Sequence, residues 1–196
     1  AGGMAGGSAD AAAALIAANK ILDNEFELGE LLDIAADLGS DVPFTLVGGT
    51  ALGTGRGEHL VPTLSKGTYH WALAFSRTGL ATPAVFRKLD ELDRTPNLDV
   101  TSLSRALRTG DPHQVAPLLH NDMQAAALSL QPQLRTTLNT GMAAGALAGI
   151  VSGSGPTCAF LCEDARAARE VAAELSLSGN TAVTSGPARG AHLKGE

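Results

Sequence analysis

AGGMAGGSADAAAALIAANKIL, residues 1–22, is the stretch whose reading decides the fold. Gly2, Gly3, Gly6 and Gly7 crowd into its first seven positions, and after Ser8 no glycine or proline occurs until Gly29. Consecutive glycines tolerate left-handed backbone and let N–H groups approach an anion closely. Leu15, Ala18 and Leu22 then recur at helical spacing. The stretch therefore reads as a glycine loop followed by a helix from Asp10 to Asn24. Ser8 is the expected N-cap, and Asp10 the acid in the first turn. Two readings of the loop stay open: a flexible linker that ends in a capped helix, or an anion site at a helix N-terminus.

Working outward, Leu28, Leu31, Leu32, Ala35 and Leu38 define one face of a second helix over 28–38, with Gly39 as its stop. In GSDVPF (39–44), Pro43 pushes Val42 toward extended geometry, which places Asp41 on a short loop between a helix end and a strand. FTLVGGTALGTGRGEHLVPT (44–63) reads as two strands around a glycine turn. A second unit begins near Thr68. YHWALAFS (69–76) is a strand, and TPAVFRKLDEL (82–92) is a helix with Pro83 in its first turn. Two more helices are expected between Ser102 and Ser129, broken at Gly110-Asp111-Pro112, and QPQLRTTLNTGMAAG (131–145) is another. ALAGIVSGSGPTCAFLC (146–162) reads as strand, glycine turn, strand. EDARAAREVAAELSL (163–177) is an amphipathic helix and NTAVTS (180–185) a closing strand. Strands and helices alternate in βαα-type units, so the class is α+β or α/β, in two domains that meet near residue 65.

Composition narrows the function. With 196 residues and 44% hydrophobic content the chain can fill a proper core. A net charge of −6 argues against a nucleic-acid surface, which needs clustered Lys and Arg. An anionic ligand would then be held by backbone amides or a metal. No run of eighteen apolar residues occurs and the opening is unlike a signal peptide, so a cytoplasmic location with no membrane partner is expected. Cys158 and Cys162 fit neither a zinc pattern nor a disulfide framework and read as buried thiols. His59, His70, His113 and His120 lie at no metal-binding spacing, and the charges of KLDELDR (88–94) read as a solvated helix face.

The standard phosphate motifs are absent. Gly2 to Gly7 has the glycine spacing of a Walker loop, but Ser8-Ala9 stands where Lys-Ser/Thr is required. No G-x-G-x-x-G follows a strand and no G-x-S-x-G occurs. Two features echo the opening loop: a second glycine loop, SGSGPT (152–157), and the lone acid of GSDVPF. On residues alone, SGSGPT is equally a plain hairpin turn, Asp41 a turn or capping acid, and Phe86 a core residue of its helix with Leu89 and Leu92.

Together these segments resemble the GHMP kinase superfamily. GGMAGGSADAAAAL (2–15) is similar to its phosphate loop and helix, LGSDVPFTLVGGTALGTGRGE (38–58) to its catalytic-acid segment, and IVSGSGPTCAFL (150–161) to its third, glycine-rich motif. LHNDMQ (119–124) resembles the family's Asn-Asp segment. LATPAVFRKL (80–89) resembles the Thr-Pro-x-x-Phe helix of the branch that phosphorylates a diphosphocytidyl polyol in the non-mevalonate isoprenoid pathway.

The resemblance implies a two-domain fold. Residues 1–65 would be the C-terminal part of a ribosomal protein S5 domain 2-like, ATP-binding domain, and 66–196 a ferredoxin-like domain. It implies ATP with Mg²⁺ and a small-molecule acceptor, in a monomer or weak homodimer. Gly2, Gly3, Met4, Ala5, Gly6, Gly7, Ser8, Ala9 and Asp10 would hold the ATP phosphates, and Ser8 would be the hydroxyl nearest the metal. Asp41 would take the proton from the attacking substrate hydroxyl. Thr82, Pro83, Phe86, Gly153, Ser154 and Gly155 would join Asp41 in contacting substrate, with Phe86 stacked on cytosine. Homoserine, mevalonate and sugar kinases of the same family share the loops and are the alternatives. Met4, Ala5 and Ala9 depart from the family's Leu, Gly and second Ser, which leaves Ser8 as the loop's sole hydroxyl. The resemblance further implies that the sequence begins inside the phosphate loop, after the family's catalytic lysine and part of its nucleobase pocket.

Overall fold

Helix α1 runs Gly6–Ile21 in the computed structural model, which describes residues 2–195, and so starts one turn earlier than the sequence pattern places it. Ser8 is not the cap. Ala5 occupies that position in a left-handed conformation (φ 46°, ψ 32°), and its carbonyl accepts the first helical bond from Ala9 N–H at 2.9 Å. Asp10 consequently falls beyond the first turn. The glycines at 6 and 7 adopt helical backbone because the chain reverses at Gly3 and Ala5 instead. Helix α2 (Leu28–Leu38) ends at Gly39 as expected, and Glu27 and Glu30 form a capping box at its start. Buried Asn19 braces the link between the two helices. Its Nδ2 donates to Phe26 O and its Oδ1 accepts from Phe26 N–H, both at 3.0 Å.

GSDVPF does not lead into a strand. Val42–Val47 forms a short helix, α3, with Asp41 at its N-cap position and Pro43 in its first turn, where the missing N–H costs nothing. Val42 and Leu46, one helical turn apart, are buried with Ala12, Leu31 and Ala35. Burial of that pair outweighs the extended preference of a residue before proline. Strands β1 (Ala51–Thr54) and β2 (His59–Pro62) then form an antiparallel hairpin that pairs Ala51 with Pro62 and Thr54 with His59.

The remaining elements are β3 (Tyr69–Phe75), α4 (Thr82–Glu91), α5 (Thr101–Leu107), α6 (Pro112–Val115), a 3₁₀ turn at Ala116–Leu118, α7 (Gln124–Leu130), α8 (Gln133–Ala143), β4 (Ala148–Val151), β5 (Cys158–Cys162), α9 (Ala165–Ser176) and β6 (Asn180–Gly186). The two helices expected over 102–129 are thus three helices and a 3₁₀ turn. Pro112 and Pro117 interrupt the hydrogen-bond ladder. The four strands make one antiparallel sheet in the order β4-β5-β3-β6. With helices after β3 and β5, this is the split βαβ arrangement of a ferredoxin-like fold.

Period-two alternation explains how that sheet is covered on both faces. Ala72, Ala74, Cys158, Phe160 and Cys162 enter one core with Val85, Leu134, Leu138, Val171 and Leu175. Tyr69 and Leu161 enter another with Ala106, Val115 and Ala116. Phe160 is fully buried against Gly141 and Gly149, where a Cβ would overlap its ring.

Packing groups the chain into two units. One comprises Ser65–Gly186 with the short segment up to Met4, the other Ala5–Leu64 with the segment from Pro187. In the second unit, Gly49 N–H donates to Ala188 O at 2.7 Å and Ala191 N–H to Thr45 O at 3.0 Å.

Candidate functional site

In the Ala5–Leu64 unit the chemistry gathers at two helix starts. Gly6, Gly7 and Ser8 are the first residues of α1, and their N–H groups lie in the turn that no intrahelical carbonyl can satisfy. Among the described residues no side chain caps this end. A Cβ at Gly6 or Gly7 would meet nothing within 4 Å, so the space beside these two residues is open. Left-handed backbone is required elsewhere, at Gly3 (φ 69°) and Ala5. Ser8 O accepts from Thr45 Oγ1 at 3.0 Å, which ties α1 to α3, while the Ser8 hydroxyl makes no hydrogen bond among the described residues.

Asp41 stands at the start of α3, exposed. Its carbonyl accepts from Thr45 N–H at 3.2 Å. Its carboxylate makes no capping bond to the helix, among the described residues, although it sits where an aspartate normally would. That removes the capping account of this residue. The acid is left solvated and uncommitted.

In the Ser65–Gly186 unit the glycine turn joins β4 to β5 and is tightly held. Gly155 N–H donates to Ser152 O, and Ser152 N–H to Thr157 O, both at 2.8 Å. Gly153 (φ 53°) and Gly155 (φ 78°) are left-handed. Ser154 and Thr157 are buried, while Gly153 is exposed. Ser152 Oγ and Thr157 Oγ1 each donate at 2.6 Å to the opening segment, reaching Gly3 O and Gly2 O. A Cβ on Gly3 would overlap the Ser152 carbonyl and the Gly155 backbone. The opening loop therefore divides: Gly2 and Gly3 pack on this turn, whereas Gly6 and Gly7 are the first turn of a helix.

Helix α4 is joined to the same turn, because Thr82 Oγ1 and Ser154 Oγ lie 2.9 Å apart. Val85 is the fully buried residue of that helix, and Phe86 beside it is 51% exposed. Phe86 is thus not a core residue, and its ring is available to a ligand. Pro83, in the first turn, is exposed as well.

The residues that brace the turn lie in LHNDMQ (119–124), a segment noted for its resemblance but given no role in the sequence reading. Asn121 Nδ2 donates to Val151 O at 2.7 Å and to Gly153 O at 2.8 Å, and Asn121 Oδ1 accepts from Met123 N–H at 3.0 Å. Gln124 Oε1 accepts from Val151 N–H at 2.8 Å. Asp122 accepts from Asn97 N–H at 3.1 Å and lies 2.6 Å from His120 Nε2. The hydrogen bond from His120 holds the Asp122 carboxyl below its usual range, aided by the Asn97 amide and the Arg94 charge. The available signal was an Asn just before a helix start, a residue type that bonds nearby backbone in turns. Cys158 and Cys162 are free and buried, and burial pushes both thiols up, that of Cys158 to about 12, which disfavours the thiolate. No group of three or more His, Cys, Asp or Glu side chains among the described residues could hold a metal by itself. No helix among them is long and apolar enough to cross a membrane.

Comparison with known proteins places both units in one family. Residues 1–49 match the GHMP kinases N terminal domain, and residues 103–181 the GHMP kinases C terminal domain. The chain is 71% identical over 195 residues to the 4-diphosphocytidyl-2-C-methyl-D-erythritol kinase of Corynebacterium diphtheriae, a match that takes in 100% of this chain and 63% of that protein. A crystal structure of 4-(cytidine 5'-diphospho)-2C-methyl-D-erythritol kinase superposes with a TM-score of 0.79 at 32% identity, over 94% of this chain and 66% of that one. A homoserine kinase from Cytophaga hutchinsonii gives a TM-score of 0.80 at 19% identity, over 97% of this chain and 67% of that one, a likeness of fold alone. The chain spans somewhat less than two thirds of the length of the corynebacterial relative.

Proposed function

This chain belongs to the GHMP kinase family, and we propose that it is the part of an ATP-dependent kinase that phosphorylates the 2-hydroxyl of 4-diphosphocytidyl-2-C-methyl-D-erythritol in the non-mevalonate isoprenoid pathway. On this reading residues 1–65 are the C-terminal part of the ATP-binding domain and 66–196 the family's C-terminal domain. The observation that carries the kinase reading is the uncapped start of α1 on two glycines whose flanks are open. Unsatisfied N–H groups at the positive end of a helix dipole receive phosphate without any lysine of a P-loop.

Phosphoryl transfer asks mainly for positioning and charge neutralisation. Gly6, Gly7 and Ser8 offer main-chain donors to the ATP phosphates. Asp41, uncommitted to its helix, takes the proton from the acceptor hydroxyl as that oxygen bonds to the γ-phosphorus and the bond from γ-phosphorus to the β–γ bridging oxygen breaks, releasing ADP. Mg²⁺ bound to nucleotide phosphates needs few protein oxygens, and the unbonded Ser8 hydroxyl suits a single such ligand. Bound there, the ion would neutralise phosphate charge. Exposed Gly153 presents backbone to substrate, with buried Gly155 shaping the turn behind it, and Phe86 presents a ring face to cytosine, the feature that separates this reading from a homoserine or mevalonate kinase. The names of the relatives at high identity support the same choice.

The deciding assay offers the full chain ATP with the diphosphocytidyl polyol, homoserine or mevalonate, and follows ADP release. Turnover with the cytidylyl substrate at a kcat/KM at least about a hundredfold above the other two is expected, since a site built around polar base contacts rejects substrates that lack them. Equal or better turnover of homoserine or mevalonate would refute the assignment.

A further inference from the structure

The segment His120–Gln124 touches the glycine turn with side chains that the proposed chemistry does not use. Asn121 is the centre of it. Its two Nδ2 hydrogens are spent on two carbonyls on either side of Ser152, those of Val151 and Gly153, and its Oδ1 accepts from Met123 N–H at 3.0 Å, so the carboxamide cannot rotate without losing three bonds. Gln124 fixes the remaining polar group of Val151 by accepting its N–H at 2.8 Å. From the turn the chain of contacts runs on through Ser154 to Thr82, the first residue of α4. Beyond the far end of α4, Asp122 accepts the Asn97 N–H at 3.1 Å. One short segment thereby braces the turn and, through it, the first residue of the helix that carries Phe86.

We propose that Asn121 is a positioning residue, which holds the Ser152–Gly155 turn in the left-handed shape that presents Gly153 to a ligand. An amide side chain suits this task, because it offers two N–H donors to the turn and an acceptor to Met123 N–H. The turn shows Asn121 two acceptors, one on either side of Ser152, so a residue with fewer than two donors leaves at least one carbonyl without its side-chain partner, and a carboxylate at that point would repel both. Exposed Gly153 has no hydrophobic anchor of its own, whereas Ser154 and Thr157 are buried. Its placement therefore depends on the bond from Asn121.

The substitution Asn121→Asp keeps the shape and removes both donors. Asn121→Ser removes them without adding charge and serves if the first variant does not fold. Gln124→Glu keeps the acceptor for Val151 N–H and is the conservative control. Amide exchange of Gly155, whose N–H bonds Ser152 O, is expected to accelerate about tenfold or more in either Asn121 variant, while amides of β3 and α9 keep the native rate. With Gln124→Glu it should stay within about twofold. The kinetic part rests on the turn being a ligand site of the proposed kinase: KM for the diphosphocytidyl substrate should rise about tenfold with kcat held within about threefold, because Asp41 belongs to the other unit. Unchanged Gly155 exchange in a folded Asn121 variant would overturn the proposal, as would faster exchange with an unaltered KM. A native protein with no kinase activity would instead overturn the proposed function, and the exchange rates would then decide the role of Asn121 by themselves.

Discussion

The two glycine-rich segments of this chain look alike in sequence and are built on opposite plans. The turn at 152–157 is braced from within one unit, by Asn121, Gln124, Thr82 and the turn's own backbone. At 6–8, among the described residues, the first-turn amides are left uncapped, the space beside both glycines is open, and the Asp41 carboxylate in the same unit makes no capping bond. A satisfied turn fixes a surface. An unsatisfied helix end and a solvated carboxylate are groups kept for something other than the fold, because a protein gains little stability from leaving them unpaired. The opening loop spans both plans, since Gly2 and Gly3 pack on the braced turn.

The contrast breaks most visibly at Asp41. If the carboxylate serves chemistry and not the fold, Asp41→Asn lowers kcat about 10²- to 10⁴-fold and leaves the melting temperature and ATP affinity unchanged. A variant that unfolds early in a thermal melt would move Asp41 to the structural side of the comparison. Next in size is Phe86. Exposed on α4 beside buried Val85, it can be truncated with a stability change within about 1 kcal/mol, measured by denaturant titration. The KM for the cytidylyl substrate should rise roughly 5- to 150-fold, as expected for loss of ~1–3 kcal/mol of base stacking, while that for ATP holds.

The smallest effects sharpen the comparison within the opening loop itself. Gly3→Ala forces a Cβ into left-handed backbone against Ser152 and Gly155 and should lower unfolding free energy by about 1–3 kcal/mol. Gly6→Ala meets open space in a helix and should raise it by up to about 1 kcal/mol while weakening ATP binding about tenfold in calorimetry, because a methyl would be added beside the amides proposed to receive phosphate. Equal destabilisation by the two substitutions would erase the distinction.

Much of this was legible in the chain. The helices at Leu28–Leu38, Thr82–Glu91 and Ala165–Ser176 and the strands at Tyr69–Phe75 and Cys158–Cys162 follow from hydrophobic period, flanking glycine and proline at a helix start, all of which act within a few residues. Local signals misled where tertiary burial outbid them. Val42 is helical because it and Leu46 face Leu31 and Ala35, not because of its neighbour Pro43. Ser8 looked like a cap because serine usually is one, yet the left-handed Ala5 begins the helix.

What the sequence by itself determined is the set of reactive parts: two glycine loops, a lone acid in GSDVPF, a Thr-Pro-x-x-Phe helix, and the family they point to. What only the tertiary structure decided is which of those parts are bonded and which are left free. Asn121 meets Gly153, Thr82 meets Ser154 and Gly3 meets Ser152 across 32, 72 and 149 residues of chain. Hydrogen bonds over such separations form only when the sheet and its helices have already brought the segments together, so no local pattern records them.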